Sequence, residues 1–231
     1  MPRDVGVVLV AAGQGTRLGD GTPKQYRLLG GVPLVLRALR HFTGHPDVRE
    51  VALVLPPSDV ASPPGFLAQL TGGSLRLVAG GAERRDSVAA GLAALGPECA
   101  VVLVHDAARP FVAREVIDAV IAHARRGEGA IAALPVSDTV KEAAADDAPR
   151  VARPIPRDRL WRAQTPQGFP RALLTRAHAA ARESALRATD DAMLVEACGG
   201  TVRLVPDTAR NLKITTAEDL ALAELLCRER P

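Results

Sequence analysis

Lysine, cysteine and aromatic residues are all scarce in this chain, and each scarcity removes a class of function. Aromatic side chains make up 3% of the 231 residues, with one Trp, one Tyr and four Phe. Proteins that hold single-stranded nucleic acid stack its bases on aromatic platforms along a basic groove. Here the basic residues are scattered and the net charge is only +3, so no nucleic-acid partner is expected. The cysteines Cys99, Cys198 and Cys227 are odd in number, far apart and without CxxC spacing. They supply neither a disulfide framework nor a zinc site, and a reducing cytoplasm is the expected setting. No apolar run approaches the about 20 residues of a membrane helix. The opening "MPRDVGVVLVAAG" lacks the layout of a signal peptide, so no membrane partner is expected.

Of the 29 basic residues only Lys24, Lys141 and Lys213 are lysine. In a chain so biased toward arginine, a retained lysine has two readings: a place where a compact point charge is wanted instead of a planar fork, or chance. Lys141 reads as structural.

Hydrophobic residues reach 47%, enough for a real core in one large domain spanning 1–231. Short apolar runs alternate with amphipathic stretches. Strands are predicted at 5–12, 48–57, 74–81, 99–110, 129–140 and 201–207, and helices at 32–42, 85–95, 113–126 and 170–185. A further helix follows "TDD" with Thr189 or Asp190 as its N-cap, and a closing helix starts with a capping box of Thr216 and Asp219. Continuous apolar strands alternating with helices indicate an α/β fold, a mostly parallel sheet covered on both faces. The stretch 136–160 breaks the rhythm. It reads as a protruding β-arm with little core of its own, suited to lie against a partner subunit.

In a doubly wound sheet, ligands sit beyond the carboxyl ends of the strands. The unusual clusters fall there: 11–26, 80–87, 105–110, 136–141 and 207–213. The first, "AAGQGTRLGDGTPKQY", is not a dinucleotide fingerprint, because Leu18 stands where a third glycine is needed. It is not a Walker loop either, because Lys24 follows Pro23. What remains is a glycine turn whose amides face an oligophosphate, with Arg17 and Lys24 as two nearby cations. That set suits phosphoryl or nucleotidyl transfer.

With "GGAERRDSV", "VHDAARP", "SDTVK", "TPQGF" and "NLKITT", this loop resembles the 2-C-methyl-D-erythritol 4-phosphate cytidylyltransferase family, within the sugar-nucleotidyltransferase-like superfamily. The resemblance runs in order along nearly the whole chain. It implies a Rossmann-like fold of the nucleotide-diphospho-sugar transferase type. It also implies cytidylyl transfer from CTP to methylerythritol phosphate with release of pyrophosphate, in the non-mevalonate route to isoprenoid precursors. Mg²⁺ is then the cofactor, held largely by the CTP phosphates, with its protein ligands unknown.

Carried over by the same resemblance, Arg17 and Lys24 stabilise the pentavalent α-phosphate, and Lys213 contacts phosphates. Ala11, Ala12, Gly13, Gly15, Gly81 and Ser87 receive the nucleotide. Asp106, Arg109, Thr139, Arg157 and Thr165 take the polyol phosphate. Thr139 and Arg157 do so from the arm, within a homodimer. Asp106 has a second possible role as a magnesium ligand. Arg84 is either a phosphate partner or structural, with helix capping by Asp86 as the plainer role for that turn. His105 reads as structural. The rival activities are a ribitol-5-phosphate cytidylyltransferase and, from a different class, a non-catalytic CTP-binding regulator. A dehydrogenase would need the glycine that is missing.

Overall fold

Strand β1 (Val5–Val10) divides its side chains between two cores. Val5, Val7 and Leu9 enter one cluster with Phe42 and Ile117, whereas Val8 enters a second with Val88 and Leu174. A strand apolar on both faces must be covered on both. The computed structural model describes residues 2–13, 22–70, 72–145, 149–184 and 188–228.

In chain order, β1 is followed by β2 (Leu28–Leu29), β3 (Val32–Pro33), α1 (Leu34–Thr43), β4 (Val48–Leu55), α2 (Pro57–Ala61), α3 (Gly65–Ala68) and β5 (Leu75–Ala79). Then come α4 (Arg84–Ala94), β6 (Val101–Asp106), α5 (Arg114–Arg125), β7 (Gly129–Pro135), β8 (Val140–Ala143) and β9 (Val151–Ile155). The chain ends with β10 (Trp161–Pro170), α6 (Arg171–Glu183), α7 (Asp191–Ala197), β11 (Val202–Pro206) and α8 (Ala217–Arg228). The main sheet has seven strands in the order β11-β7-β10-β6-β1-β4-β5. Only β10 runs antiparallel to its neighbours.

Helices α1 and α5 cover one face, while α4, α6 and α7 cover the other. Each fully buried Val, Leu or Phe contributes about 1.5–3 kcal/mol, so the strand ends that carry the site stand on a stiff base. Helix α4 lies close to the sheet because of Gly91: a Cβ there would stand 2.5 Å from Val8 Cγ1 and 2.9 Å from Val54 Cγ2. A third, smaller core joins Leu29, Leu34 and Phe111 to Ile214 and Ala223 of α8.

The parallel α/β reading of the sequence holds, and so do both predicted caps. Asp190 accepts from Met193 N–H at 3.0 Å, and Thr216 and Asp219 exchange backbone N–H bonds at 3.2 and 2.9 Å. Several predicted strands run a few residues past their ends. The 129–140 strand stops at Pro135, whereas 99–110, a strand running into a polar turn in the sequence, leaves the sheet at Asp106. Strand β10 is absent from the sequence reading. Its "WRAQTPQGFP" has no apolar run: Gln164, Thr165 and Gln167 are buried in mid-sheet, each with a side-chain hydrogen bond to a neighbouring segment. Its ladder with β7 breaks between Ala163 and Gln167, where Pro166 has no N–H to donate. Within 136–160, β8 and β9 form an exposed antiparallel hairpin as a separate two-stranded sheet. No helix among the described residues is long and apolar enough to cross a membrane.

Candidate active site

Strands β1 and β6 lie in register, with Val10 opposite Asp106, and a cavity of about 540 Å³ opens beyond their carboxyl ends. Ala11, Ala12 and Gly13 leave β1 to form one wall. Gly81 and Ser87, from the turn into α4, form another. That turn is pressed against its surroundings. A Cβ on Gly80 would stand 2.5 Å from Ala12 Cβ, and one on Gly81 would stand 2.4 Å from Asp86 Cβ. Backbone bonds fix both walls to the sheet, Ala11 N–H to Val54 O at 2.8 Å and Gly80 N–H to Leu55 O at 2.8 Å. Ser87 accepts from Gly81 N–H and donates to Glu83 O, both at 3.2 Å. Asp86 accepts from Glu83 N–H at 3.1 Å, which is the capping role given to it above.

The cavity floor is a set of charges. Asp106 ends β6 with its carboxylate Oδ2 2.8 Å from Lys213 Nζ and Oδ1 3.6 Å from Arg84 Nε. Burial opposes ionisation of Asp106, yet Lys213 and Arg84 outweigh it and hold the carboxyl well below the usual range. Lys24, in a one-turn 3-10 helix (Lys24–Tyr26), also lines the cavity. Burial, and then the charge of Lys213, lower its pKa to about 8. Arg84 is opposed by burial as well, but Asp191 and Asp106 hold its pKa above the ordinary value.

Behind Asp106 lies a buried polar layer. His105 is fully buried, and burial lowers its pKa to about 4, so the ring is neutral near pH 7. Its Nε2 faces Arg109 O at 3.0 Å and must donate there, leaving Nδ1 to accept from Thr165 Oγ1 at 3.1 Å. The same Thr165 hydroxyl accepts from Asp106 N–H at 3.1 Å. Arg109 donates to Asn211 O at 2.7 Å, and Asn211 donates to Thr165 O at 2.9 Å and Asp207 Oδ2 at 2.6 Å. These bonds seat the loop after β11 and so aim Lys213 at Asp106.

The structure thus brings together Ala11, Ala12, Gly13, Lys24, Gly81, Ser87, Asp106 and Lys213 of the residues picked out in the sequence. Arg109 and Thr165 lie directly behind them, buried and committed to internal partners. Thr139 and Arg157 stand on the arm, exposed, and do not line this chain's cavity; Arg157 donates to Ser137 O. Arg17 and Gly15 lie outside the described residues. Two partners went unnoticed in the sequence. Asp191 was hidden inside a capping motif, and Asn211 inside "NLKITT". The signal for Asp191 is a second acidic residue after a cap that needs only one.

Among the described residues, no group of three or more His, Cys, Asp or Glu side chains is placed to hold a metal ion. Both oxygens of Asp106 face cations, which makes it a poor ligand for a bare divalent ion. Lys24 and Lys213 instead present ammonium groups suited to phosphate oxygens.

A sequence profile described as "IspD: 2-C-methyl-D-erythritol 4-phosphate cytidylyltransferase" matches residues 5–229. The chain is 45% identical to a protein of that name from Frankia casuarinae, over 96% of this chain and 80% of the relative. It is 46% identical to a bifunctional IspD/IspF enzyme from Desulforudis audaxviator, of whose length it spans only 56%. The crystal structure of 2-C-methyl-D-erythritol 4-phosphate cytidylyltransferase from Thermus thermophilus superposes with a TM-score of 0.81 at 40% identity, covering 97% of this chain and 99% of that one. Fold, cavity and sequence agree, and the chain belongs to the 2-C-methyl-D-erythritol 4-phosphate cytidylyltransferase family.

Proposed function

We infer that this chain transfers a cytidylyl group from CTP to 2-C-methyl-D-erythritol 4-phosphate, giving 4-diphosphocytidyl-2-C-methyl-D-erythritol and pyrophosphate. The observation that carries this reading is the convergence of Lys24 and Lys213 on one cavity beside Asp106, in a member of this family. An oxygen of the substrate phosphate attacks the α-phosphorus of CTP and forms the new P–O bond. The bond to the bridging oxygen breaks, and pyrophosphate leaves with its electrons. The attacking phosphate is already ionised near pH 7, so the step needs no general base. The task left to the protein is positioning and charge stabilisation around an in-line phosphorus.

Lys24 and Arg17 carry the α-phosphate charge in this mechanism, and Lys213 holds phosphate oxygens from the opposite side. Ala11, Ala12, Gly13, Gly15, Gly81 and Ser87 receive the nucleotide, their small side chains leaving backbone groups open to the base. Asp106 accepts from polyol hydroxyls, with Arg109 and Thr165 supporting it from behind. Magnesium, when bound, offsets the charge of the triphosphate oxygens. Thr139 and Arg157 are exposed on the arm and do not line their own chain's cavity. In the working enzyme two chains pair through their arms, in the cytoplasm, and each arm completes the neighbour's site.

Purified protein is incubated with CTP, Mg²⁺ and either methylerythritol phosphate or ribitol 5-phosphate, and pyrophosphate is measured. Release with methylerythritol phosphate is expected. Release with ribitol 5-phosphate alone reassigns the substrate. CTP binding with no release from either polyol makes the chain a nucleotide-binding regulator.

A further inference from the structure

The carboxylate of Asp191, at the start of α7, is 1% exposed and does not line the cavity. Its two oxygens are divided between two partners. Oδ2 lies 2.8 Å from Nη1 of Arg84, and Oδ1 lies 3.1 Å from Nε2 of His178 on α6. The backbone around it is fixed too. The N–H groups of Asp191 and Ala192 both donate to Gln167 Oε1 of β10 at 3.1 Å. Gln167 of β10 thus holds the backbone and His178 of α6 one carboxylate oxygen, while the other oxygen grips one arm of the Arg84 fork. Arg84 also lines the cavity, and its Nε lies 3.6 Å from Asp106 Oδ1.

We propose that Asp191 is a positioning residue that sets Arg84, and through Arg84 the sharing of the Asp106 carboxylate with Lys213. The proposal rests on the cytidylyltransferase reading of the cavity. Arginine and carboxylate favour a bidentate fork, and a guanidinium released by one carboxylate is free to make that fork with a second one nearby. With Asp191 neutral, Arg84 turns its whole fork onto Asp106, which is the only other carboxylate it pairs with among the described residues. Asp106 is then drawn from Lys213 and from the polyol hydroxyls it is meant to accept. Asp191 prevents this by taking half of the fork into the protein interior.

A simple clamp between α4 and the α6–α7 pair would use the same contacts, and a double-mutant cycle separates the two roles. Wild-type turnover with CTP and methylerythritol phosphate is measured first. Its absence overturns the cytidylyltransferase reading and this proposal with it. Full-length Arg84→Gln, Asp191→Asn and the double variant are then compared. Asp191→Asn is expected to fold, to bind CTP within threefold of wild type by calorimetry, and to lose at least tenfold in kcat/KM for methylerythritol phosphate. The double variant is expected to be no worse than the weaker single one. Wild-type kcat/KM in Asp191→Asn, or losses that multiply in the double variant, overturns the positioning role while the reaction stands. Should Asp191→Asn not fold, His178→Asn takes its place in the cycle. It loosens Asp191 from one side and is expected to lose threefold or more, again without a further loss in combination with Arg84→Gln. Unchanged kcat/KM, or a multiplied loss, overturns the proposal there as well.

Discussion

Lys213 holds its ammonium 2.8 Å from the carboxylate of Asp106, so the two are ion-paired in the cavity. In the mechanism proposed above, an incoming phosphate competes with Asp106 for Lys213 and so frees the carboxylate for polyol hydroxyls. Lys213→Ala is expected to lower kcat/KM by about 10²-fold or more, the scale of removing one preorganised charge partner. Lys213→Arg is expected to recover only part of this, since a planar fork does not replace a compact ammonium. Pyrophosphate release measures both, and near-normal turnover of the alanine variant contradicts the role.

Lys24 gives the site a pH dependence. Its pKa is lowered to about 8, chiefly by burial and then by Lys213, so the empty cavity loses this charge as pH rises through about 8. CTP affinity is expected to weaken over the same range, and binding near pH 8 to take up a proton. Calorimetry in two buffers of different ionisation heat counts that proton. Lys24→Arg should flatten the profile. The fold responds with the opposite sign. Between about 8 and the ordinary lysine value of 10.5, the unfolded chain binds more protons at this position, so the contribution of Lys24 to stability rises with pH there.

Asp106→Asn tests the same coupling from the other side. Asp106 raises the pKa of Lys24, so its neutralisation should move the fall in CTP affinity to lower pH. Turnover of methylerythritol phosphate should drop at least tenfold. A pH profile that stays where it was would separate the two residues.

Gly91→Ala probes the packing that brings α4 to the sheet. Alanine favours a helix by about 1 kcal/mol over glycine, but forcing a methyl into a filled core costs about 1–3 kcal/mol. With Val8 Cγ1 2.5 Å from the added carbon, the second effect is expected to win, and Tm to fall by several degrees. A Tm equal to or above wild type shows that the valines move aside freely.

Arg157→Ala and Lys24→Ala subunits, each inactive or nearly so, are expected to regain activity when mixed and exchanged. In a paired enzyme one site of the mixed dimer has both residues intact. Proven exchange without any recovery removes the arm from the neighbour's site.

The two-sided burial of β1 and the strand-end clusters at 11–13 and 81–87 and around Asp106 and Lys213 were legible in the sequence because each depends on local pattern. Lys24 and Lys213 stood out through the rarity of lysine. Strand β10 did not, because burial there is bought with hydrogen bonds from Gln164, Thr165 and Gln167 instead of apolar surface. Asp191 was equally hidden. A carboxylate next to a helix cap looks like a second cap until its partners on α4 and α6 are known. Arg109 and Thr165 were picked out by the family resemblance alone. Their inward bonds depend on the fold of three distant segments.

The ion pairs of the site also time its assembly. Arg84 and Asp191 are 107 positions apart, and β10 and β11 lie between Asp106 and Lys213 along the chain. Contacts closed over such separations form late, after local helices. In refolding from denaturant, helical circular dichroism should therefore return ahead of pyrophosphate release, and the first turnover marks the moment when the far halves of the chain have met.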